Sequence, residues 1–399
     1  MNSVKAGAFP RPAVRLACAT VVALLGMVSV STAVAAAPLW VSNAGVDSAT
    51  CGASETPCRS ITQAIRRAAA NDTILVRPGH YGDNNFNGRE DAGDEEVSNN
   101  QCMVCIRKPL RLQSTKGASL TTIDASGGGG SIGVLITASN VTFGATGRGF
   151  TVTGARNAGV IAYPDPATQI APRSVKVSGN IALKNGQSGF SFQELEGNLE
   201  VSDNIAMGNG VLEPQSAGWG ILMFGFGGDI NARIIGNVAV GNRTGMSISG
   251  PGSIEFSGNI VNNNESGLSL SGATFSVTDN SIVNNASQGA QFSGTFTSVQ
   301  RNTVAGNRGS GIVVFDATVG TFRSNNLYGN GSSSIPVSGD LRANCGLVNA
   351  TFHALIASNN YWGSPQGPGS DPADDACAFD GTPAPIVAPI ATQAFPITP

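Results

Sequence analysis

Charged residues are scarce in this sequence, and histidine is rarer still. Asp, Glu, Lys and Arg make up 12% of the 399 residues, about half of the ~25% that is typical of soluble domains. There are two histidines, and the formal net charge is -3. Since there is no basic stripe, we expect no binding to nucleic acid. Since there is no acidic block, we do not expect a disordered chain.

The only long apolar run lies near the N-terminus. Basic residues up to Arg15 precede an apolar run from Leu16 to Val34, and small residues follow at Ala35–Ala37. This order predicts a signal peptide that is cleaved near Ala35–Ala37. A membrane anchor is the alternative, but small residues interrupt the run. We therefore expect no membrane span after cleavage, and a protein that is either secreted or held at the cell surface. We also expect a monomer.

Six cysteines remain after the predicted signal peptide. An even number in an exported chain favours disulfides over thiols or zinc ligands. The simplest expectation is local pairing, with a third bond closing the C-terminal region, although the sequence leaves other connectivities open. The expected pairs are Cys51 with Cys58, Cys102 with Cys105, and Cys345 with Cys377.

Asparagines recur in pairs five residues apart, in a repeat of roughly 22 residues. Alternating apolar and polar runs flank the pairs, as in IEFSG at Ile254 and GLSLS at Gly267. A unit of three short strands cannot bury its apolar side alone, so successive units must stack. The sequence therefore predicts an all-β parallel solenoid of about ten coils. Asparagine suits the turns because it tolerates the left-handed region and its amide bonds the backbone.

Two segments carry a resemblance to a known group of proteins. The stretch LWVSNAGVDSATCGASETPCRSITQAIRRAAANDTILVRPGHY (39–81) resembles the opening of exported right-handed parallel β-helix proteins of the pectin-lyase-like superfamily. The stretch NNYWGSPQGPGSDP (359–372) is similar to a tail of uncharacterised bacterial members. The resemblance implies a right-handed parallel β-helix. It does not imply one activity, because the superfamily includes lyases, hydrolases, epimerases, adhesins and inert spacers.

The expected organisation has a cap at each end of the solenoid. Ser60 and Gln63 fit a capping box, and Ile61, Ala64 and Ile65 share one face of a short helix that would cover the open strand edges. We expect a signal peptide at 1–37, an N-terminal cap and first coils at 38–110 with an acidic insertion at 82–101, β-helix repeats at 111–345, and a C-terminal coil with a proline-rich capping tail at 346–399.

The acidic insertion contains the spacing of a calcium-binding loop. Oxygen-bearing side chains recur in the pattern D-x-N-x-N-G-x-x-D-x-x-D, with the glycine where the chain must turn. The predicted Ca²⁺ ligands are Asp83, Asn85, Asn87, Asp91 and Asp94. We expect a structural ion; the alternative is a solvated acidic loop.

A second candidate site is a column of alternating charge. Four residues before the first asparagine of each pair, the outward positions hold Lys176, Glu200, Arg233 and Glu255. In a lyase, Lys176 or Arg233 would neutralise a uronate or act as the base, with Glu200 positioning the substrate. The alternation of sign favours a set of cross-strand ion pairs instead.

A third candidate is aromatic. Tyr163, Phe224 and Phe315 occupy equivalent outward positions among serines and a glutamine, and an insertion in one coil brings Glu213 and Trp219 nearby. Aromatic faces beside hydroxyls and amides suit the binding of sugars. The alternative is that each aromatic side chain packs beneath a neighbouring loop.

These features leave two hypotheses for function. The first is an exported enzyme of polysaccharide-lyase type that uses the charged column. The second is a solenoid that binds extracellular polysaccharide, or acts in surface adhesion, without catalysis. Sparse, sign-alternating charge and the lack of histidine favour the second, whereas the fold-level resemblance to lyases favours the first.

Overall fold

Short parallel β-strands are the main secondary structure of the protein. The computed structural model describes residues 37–83, 87, 101–126, 131–211, 218–225, 228–332 and 344–399. Residues 1–36 of the predicted signal peptide therefore lie outside the described residues. Helix α1 (Ile61–Arg67) and a 3-10 helix (Ala118–Leu120) accompany the strands.

The strands, in chain order, are β1 (Leu39–Val41), β2 (Thr73–Val76), β3 (Gly79–Gly82), β4 (Cys102–Ile106), β5 (Arg111–Ser114), β6 (Thr121–Asp124), β7 (Ile132–Ile136), β8 (Thr142–Phe143), β9 (Thr151–Thr153), β10 (Ala158–Ala162), β11 (Arg173–Ser178), β12 (Ile181–Leu183), β13 (Ser188–Gln193), β14 (Glu196–Ser202), β15 (Ile205–Met207), β16 (Trp219–Phe224), β17 (Ile230–Ile235), β18 (Val238–Val240), β19 (Thr244–Ser249), β20 (Gly252–Ser257), β21 (Ile260–Asn262), β22 (Ser266–Thr278), β23 (Ser281–Val283), β24 (Ala290–Gln300), β25 (Thr303–Ala305), β26 (Ile312–Val319), β27 (Phe322–Arg323), β28 (Asn326–Tyr328), β29 (Cys345–Ala350) and β30 (Asp375–Ala378).

These strands form three parallel stacks, which we name faces A, B and C. One coil runs through a strand of each face, as in β11, β12 and β13, and the next coil repeats the order with β14, β15 and β16. Face B is a stack of 10 short strands from β3 to β28. In β22 and β24 the chain passes from face C to face A within one strand. The protein is thus a right-handed parallel β-helix of about ten coils, as predicted.

Alternate side chains of each strand fill the interior of the solenoid. On face A, Val175 and Val177 are buried, and on face C, Phe190 and Phe192 are buried. Within each face like residues stack on like, as with Phe275 on Phe296, whose ring centroids are 5.2 Å apart, and the register shifts only locally, for example between Ser271 and Thr274 of the described strands. This apolar column leaves only the outward positions free to vary.

Two columns of buried asparagine side chains run along the corners of the solenoid. In both, each Nδ2 donates to the Oδ1 of the asparagine one coil further on, and that Oδ1 also accepts the backbone N–H of the earlier residue. One amide column lies between faces A and B, and the other lies between faces B and C. The first contains Asn180, Asn204, Asn237, Asn259, Asn280, Asn302, Asn325 and Asn360; the second contains Asn185, Asn209, Asn242, Asn264, Asn285, Asn307 and Asn330.

The left-handed backbone conformation that was predicted for these asparagines is adopted by the residue before each of them. The residue before each amide-column asparagine has positive φ, as at Asp203 (φ 55°) before Asn204 and Asn263 (φ 54°) before Asn264. The asparagine itself is buried because its amide replaces backbone partners that the turn leaves unpaired. The prediction was right about the amide and wrong about which residue turns the chain.

The second amide column ends on a buried carboxylate. Asp374 accepts hydrogen bonds from Asn330, at 2.6 Å from Nδ2 and 3.1 Å from the backbone nitrogen. Burial raises the pKa of Asp374 to about 6, while the bonds from Asn330 act in the opposite direction. Each amide of the column directs one of its two N–H donors toward the next coil and so toward Asp374, and this polarised chain of bonds partly offsets the cost of a buried charge.

The N-terminal end of the solenoid carries the short capping helix that the sequence predicted. The Ser60 hydroxyl accepts the Gln63 N–H at 3.1 Å and caps helix α1, which buries Ile61, Ala64 and Ile65. At the other end Trp362 is fully buried. Among the described residues, no helix has the length and apolar character that crossing a membrane requires.

The three predicted disulfides are present. Cys51 is bonded to Cys58, Cys102 to Cys105, and Cys345 to Cys377. The third joins β29 to β30 and fastens the last strand of face C.

Replacing an amide-column residue should destabilise the whole solenoid. Asn264→Ala removes the donor to Ala239 O (3.0 Å) and to Asn285 Oδ1 (3.1 Å), and the acceptor of Asn242. Each buried group left unpaired costs about 1–3 kcal/mol, so we expect a clearly lower melting temperature. Asn263→Gly is the matched control, because glycine keeps the left-handed turn at an exposed position. Equal melting temperatures for the two variants would contradict this role.

The buried carboxylate should make stability depend on pH. The pKa of Asp374 is raised in the folded state from 3.8 to about 6, so the folded state binds more protons between these values. Stability should therefore fall as pH rises from about 4 to about 6 and then level off. Asp374→Asn should abolish this part of the slope. Calorimetry of both proteins across this range measures the difference, and parallel curves would contradict the assignment.

Candidate functional site

The four predicted charged residues lie in one outward column on face A. Lys176 is in register with Glu200, Glu200 with Arg233, and Arg233 with Glu255. The column continues with Ser276. The structure therefore brings together all four residues that the repeat alignment selected.

Within this column the charges pair with one another. Lys176 Nζ lies 2.8 Å from Glu200 Oε1, and Arg233 Nε lies 3.0 Å from Glu255 Oε2. The hydrogen bond from Lys176 holds the pKa of Glu200 below its usual value, and Ser202 adds a second bond at 3.1 Å. Because these side chains are between 32% and 56% exposed, solvent screens each pair to about 0–1 kcal/mol. Both carboxylates are held by cations of their own chain.

A shallow depression of about 280 Å³ lies beside the column. Lys176, Glu200 and Arg233 line it, together with Asn198 and Asn231. Asn231 Nδ2 donates to Asn198 Oδ1 at 3.3 Å. The polar groups of face A are thus largely bonded to each other.

Face C carries a different outward surface, which we name the serine strip. It consists of two neighbouring columns that run in register through β19, β22 and β24. One column contains Ser247, Ser269 and Gln291, and the other contains Ser249, Ser271 and Ser293.

A cavity of about 320 Å³ opens on the serine strip. Trp219 lines it, followed by Thr244, Ser247, Ser269 and Gln291. Among the described residues that line this cavity, none is ionisable. Ser247 and Ser269 are half-buried, and within the described part of the chain their hydroxyls make no hydrogen bond. The cavity therefore presents hydroxyl and amide groups that a ligand can bond.

The sequence reasoning missed Ser247, Ser269 and Gln291. The signal was present in GMSIS and GLSLS, where serine alternates with core residues at the same outward position in adjacent coils. Serine at a single position is uninformative, and only its repetition across coils marks a continuous surface.

The four predicted aromatic residues all lie on face C, where Phe224 is in register with Gln193 and Phe315 with Ser293, but the rings are not adjacent to one another. Tyr163 packs against an apolar cluster at the bond between Cys102 and Cys105, and Phe315 packs against another at Cys345 and Cys377. Both clusters lie on face C, outside the main core. These two rings therefore shield disulfides at the ends of the face.

The other two aromatics lie in the middle of the same face. Phe224 is in register with Gln193 and is half-buried. Trp219 lines the cavity on the serine strip. Glu213, predicted beside it, lies outside the described residues. Of the predicted aromatic residues, Trp219 is the one that faces the cavity.

The predicted calcium loop is described at only two ligand positions. Asp83 is buried, and its Oδ1 accepts the backbone N–H of Asn87 at 3.2 Å. Ser126 Oγ lies 3.4 Å from the other Asp83 oxygen. Asn85, Asp91 and Asp94 lie outside the described residues. Calcium binding stays a prediction of the sequence.

Two family models match parts of the chain. Residues 228–366 match a family described as periplasmic copper-binding protein (NosD), and residues 43–91 match a protein family of unknown function (DUF1565). Neither match spans half of the chain. A comparison with curated proteins finds no match.

Several solved structures share the fold. The A-module of the Azotobacter vinelandii mannuronan C-5 epimerase AlgE6 is 18% identical, with a TM-score of 0.45, over 84% of this chain and 94% of the module. Pectate lyase Pel9A is 14% identical, with a TM-score of 0.41, over 81% and 78% of the two chains. The Dettilon tailspike protein (gp208) is 10% identical, with a TM-score of 0.34, over 82% and 64%. Similarity at this level carries no conclusion about activity.

The Lys176–Glu200 pair yields a direct electrostatic prediction. Lys176→Met removes the main cause of the lowered Glu200 pKa, so this pKa should rise toward its ordinary value. Carboxyl NMR titration measures the shift. Arg243→Met, which breaks the separate pair with Glu265, is the matched control and should leave Glu200 unchanged. An unchanged Glu200 pKa in Lys176→Met would contradict the pairing.

Proposed function

We propose that the protein binds extracellular polysaccharide without cleaving it. The observation that carries this proposal is the serine strip, whose hydroxyls at Ser247 and Ser269 have no bond within the described chain and lie in one cavity with Trp219. Sugars are recognised by hydrogen bonds to hydroxyl and amide groups and by contact with an aromatic face. The strip offers both.

The charged column supports binding over catalysis. A lyase needs a cation directed at the substrate uronate and a base for its proton. Lys176 and Arg233 are instead bound to Glu200 and Glu255. Breaking a pair to admit a substrate would leave a charge without its partner. We therefore assign the column to cross-strand stabilisation.

Among the described histidine, cysteine, aspartate and glutamate side chains, no imidazole or thiolate cluster fits the copper that the description of one matching family names. Copper sites use imidazole, thiolate or thioether ligands. The one group of three metal-ligating types found in the described part of the chain is Asp47, Cys51 and Cys58. Its two sulfur atoms form a disulfide and are not thiolates. We derive no copper chemistry for this chain.

Export is part of the proposal. The signal-peptide pattern predicts it, and three disulfides fit an oxidising compartment. A polysaccharide at or outside the cell envelope is the partner that this location makes available.

A panel of polysaccharides tests the proposed function. The mature protein should be retarded in gels that contain at least one of alginate, polygalacturonate, glucan, xylan or mannan. No unsaturated product and no new reducing ends should form, with or without calcium. Retardation by none of them would contradict binding.

Cleavage of any polymer would contradict the non-catalytic role. If cleavage appears and Lys176→Ala abolishes it, the charged column on face A is the active site after all.

A further inference from the structure

We propose that the ligand is an uncharged polysaccharide that lies along the solenoid axis on the serine strip, with one sugar ring against Trp219. This inference rests on the proposed function and deepens it by naming the face, the ligand class and the orientation. The residues that carry it are Trp219, Ser247, Ser269 and Gln291.

The lack of charge in the cavity sets the ligand class. In the part of the chain that the structure describes, its lining consists of serine, threonine, glutamine, tryptophan, glycine and leucine. A uronate carboxylate placed there would lose water without meeting a cation, which is costly. Arg243 and Glu265, which directly precede the lining residues Thr244 and Ser266 in the chain, pair with each other at 3.4 Å. A neutral sugar has no such penalty, and its hydroxyls both donate to and accept from Ser and Gln side chains.

The register of the strip sets the ligand's orientation. Ser247, Ser269 and Gln291 occupy the same position in three successive coils. Neighbouring parallel strands lie ~4.8 Å apart, a spacing close to the length of one pyranose unit in an extended chain. A polymer parallel to the axis therefore presents equivalent hydroxyls to equivalent side chains, coil after coil. A polymer lying along a single strand would meet the polar side chains of one coil only.

Trp219 lines the cavity from the coil before the first serine of the strip. It is in register with Thr244, three residues before Ser247 along β19, whereas Leu222 is in register with Ser247 itself. Its indole supplies an apolar face beside hydroxyl groups, the combination that fits the C–H face of a sugar ring. The distance from Trp219 to Gln291 covers four coils, so about four sugars should fill the site at ~4.8 Å per coil.

Binding of defined oligosaccharides to the mature protein tests this inference. Cello-, xylo-, manno- and laminari-oligosaccharides are compared with oligogalacturonate and oligoalginate by calorimetry and tryptophan fluorescence. At least one neutral series should bind, with affinity rising up to about four units and then levelling off. The change in fluorescence on binding should come from Trp219, because Trp362 is buried and Trp40 lies under the Arg77 guanidinium.

Matched variants locate the site. Trp219→Ala should weaken binding roughly tenfold or more, and Ser269→Ala should weaken it less. Ser298→Ala is the control, since Ser298 lies on face A and its hydroxyl bonds to Ser276 at 3.2 Å. Trp219→Phe should abolish the fluorescence change while retaining part of the affinity, which separates loss of the ring from loss of folding.

The possible failures are distinguishable. Tighter binding of an acidic series, or neutral binding that Trp219→Ala leaves unchanged, would overturn this inference and leave the proposed function standing. If neither the neutral nor the acidic oligosaccharides bind, and polysaccharides do not bind either, the proposed function fails with it.

Discussion

The in-register stacking of coils is the constraint on which every other feature depends. Two columns of buried amides impose it at two corners of the solenoid, because each asparagine bonds the side chain and the backbone of its neighbours, as Asn264 does with Asn242 and Asn285. A slip by one residue would break these bonds in both columns at once. Apolar stacking alone tolerates exchange among Val, Ile and Leu, so the amides supply most of the specificity of register.

Fixed register turns a linear sequence into repeated columns of outward side chains. A position that differs between coils is then presented at a defined place on one of three faces. On face A this produced ion pairs such as Lys176 with Glu200, in which each charge already has a partner within the chain. On face C it produced hydroxyls at Ser247 and Ser269 that are open to a partner. The same scaffold thus carries one face that stabilises and one that is suited to binding.

The sequence predicted the scaffold well, because repetition averages out local ambiguity. Stacking, coil number, capping helix and disulfide pairs all follow from patterns that recur or from cysteines close in the chain. The site was harder, because whether a side chain is engaged depends on its neighbours in three dimensions. Tyr163 and Phe315 had the same sequence signature as exposed platforms, but each covers a disulfide cluster. Ser269 had a signature only through the repetition of serine in adjacent coils, and its open hydroxyl became visible only in the cavity that Trp219 also lines.

The central claim is that ligand recognition takes place on face C and not on face A. A crystal structure of the mature protein with a bound oligosaccharide, taken from whichever series binds in solution, tests it most directly. We predict sugar density along the serine strip, with one ring against Trp219 and hydroxyls bonded to Ser247 and Ser269. Density in the depression beside Lys176, Glu200 and Arg233 would contradict the account.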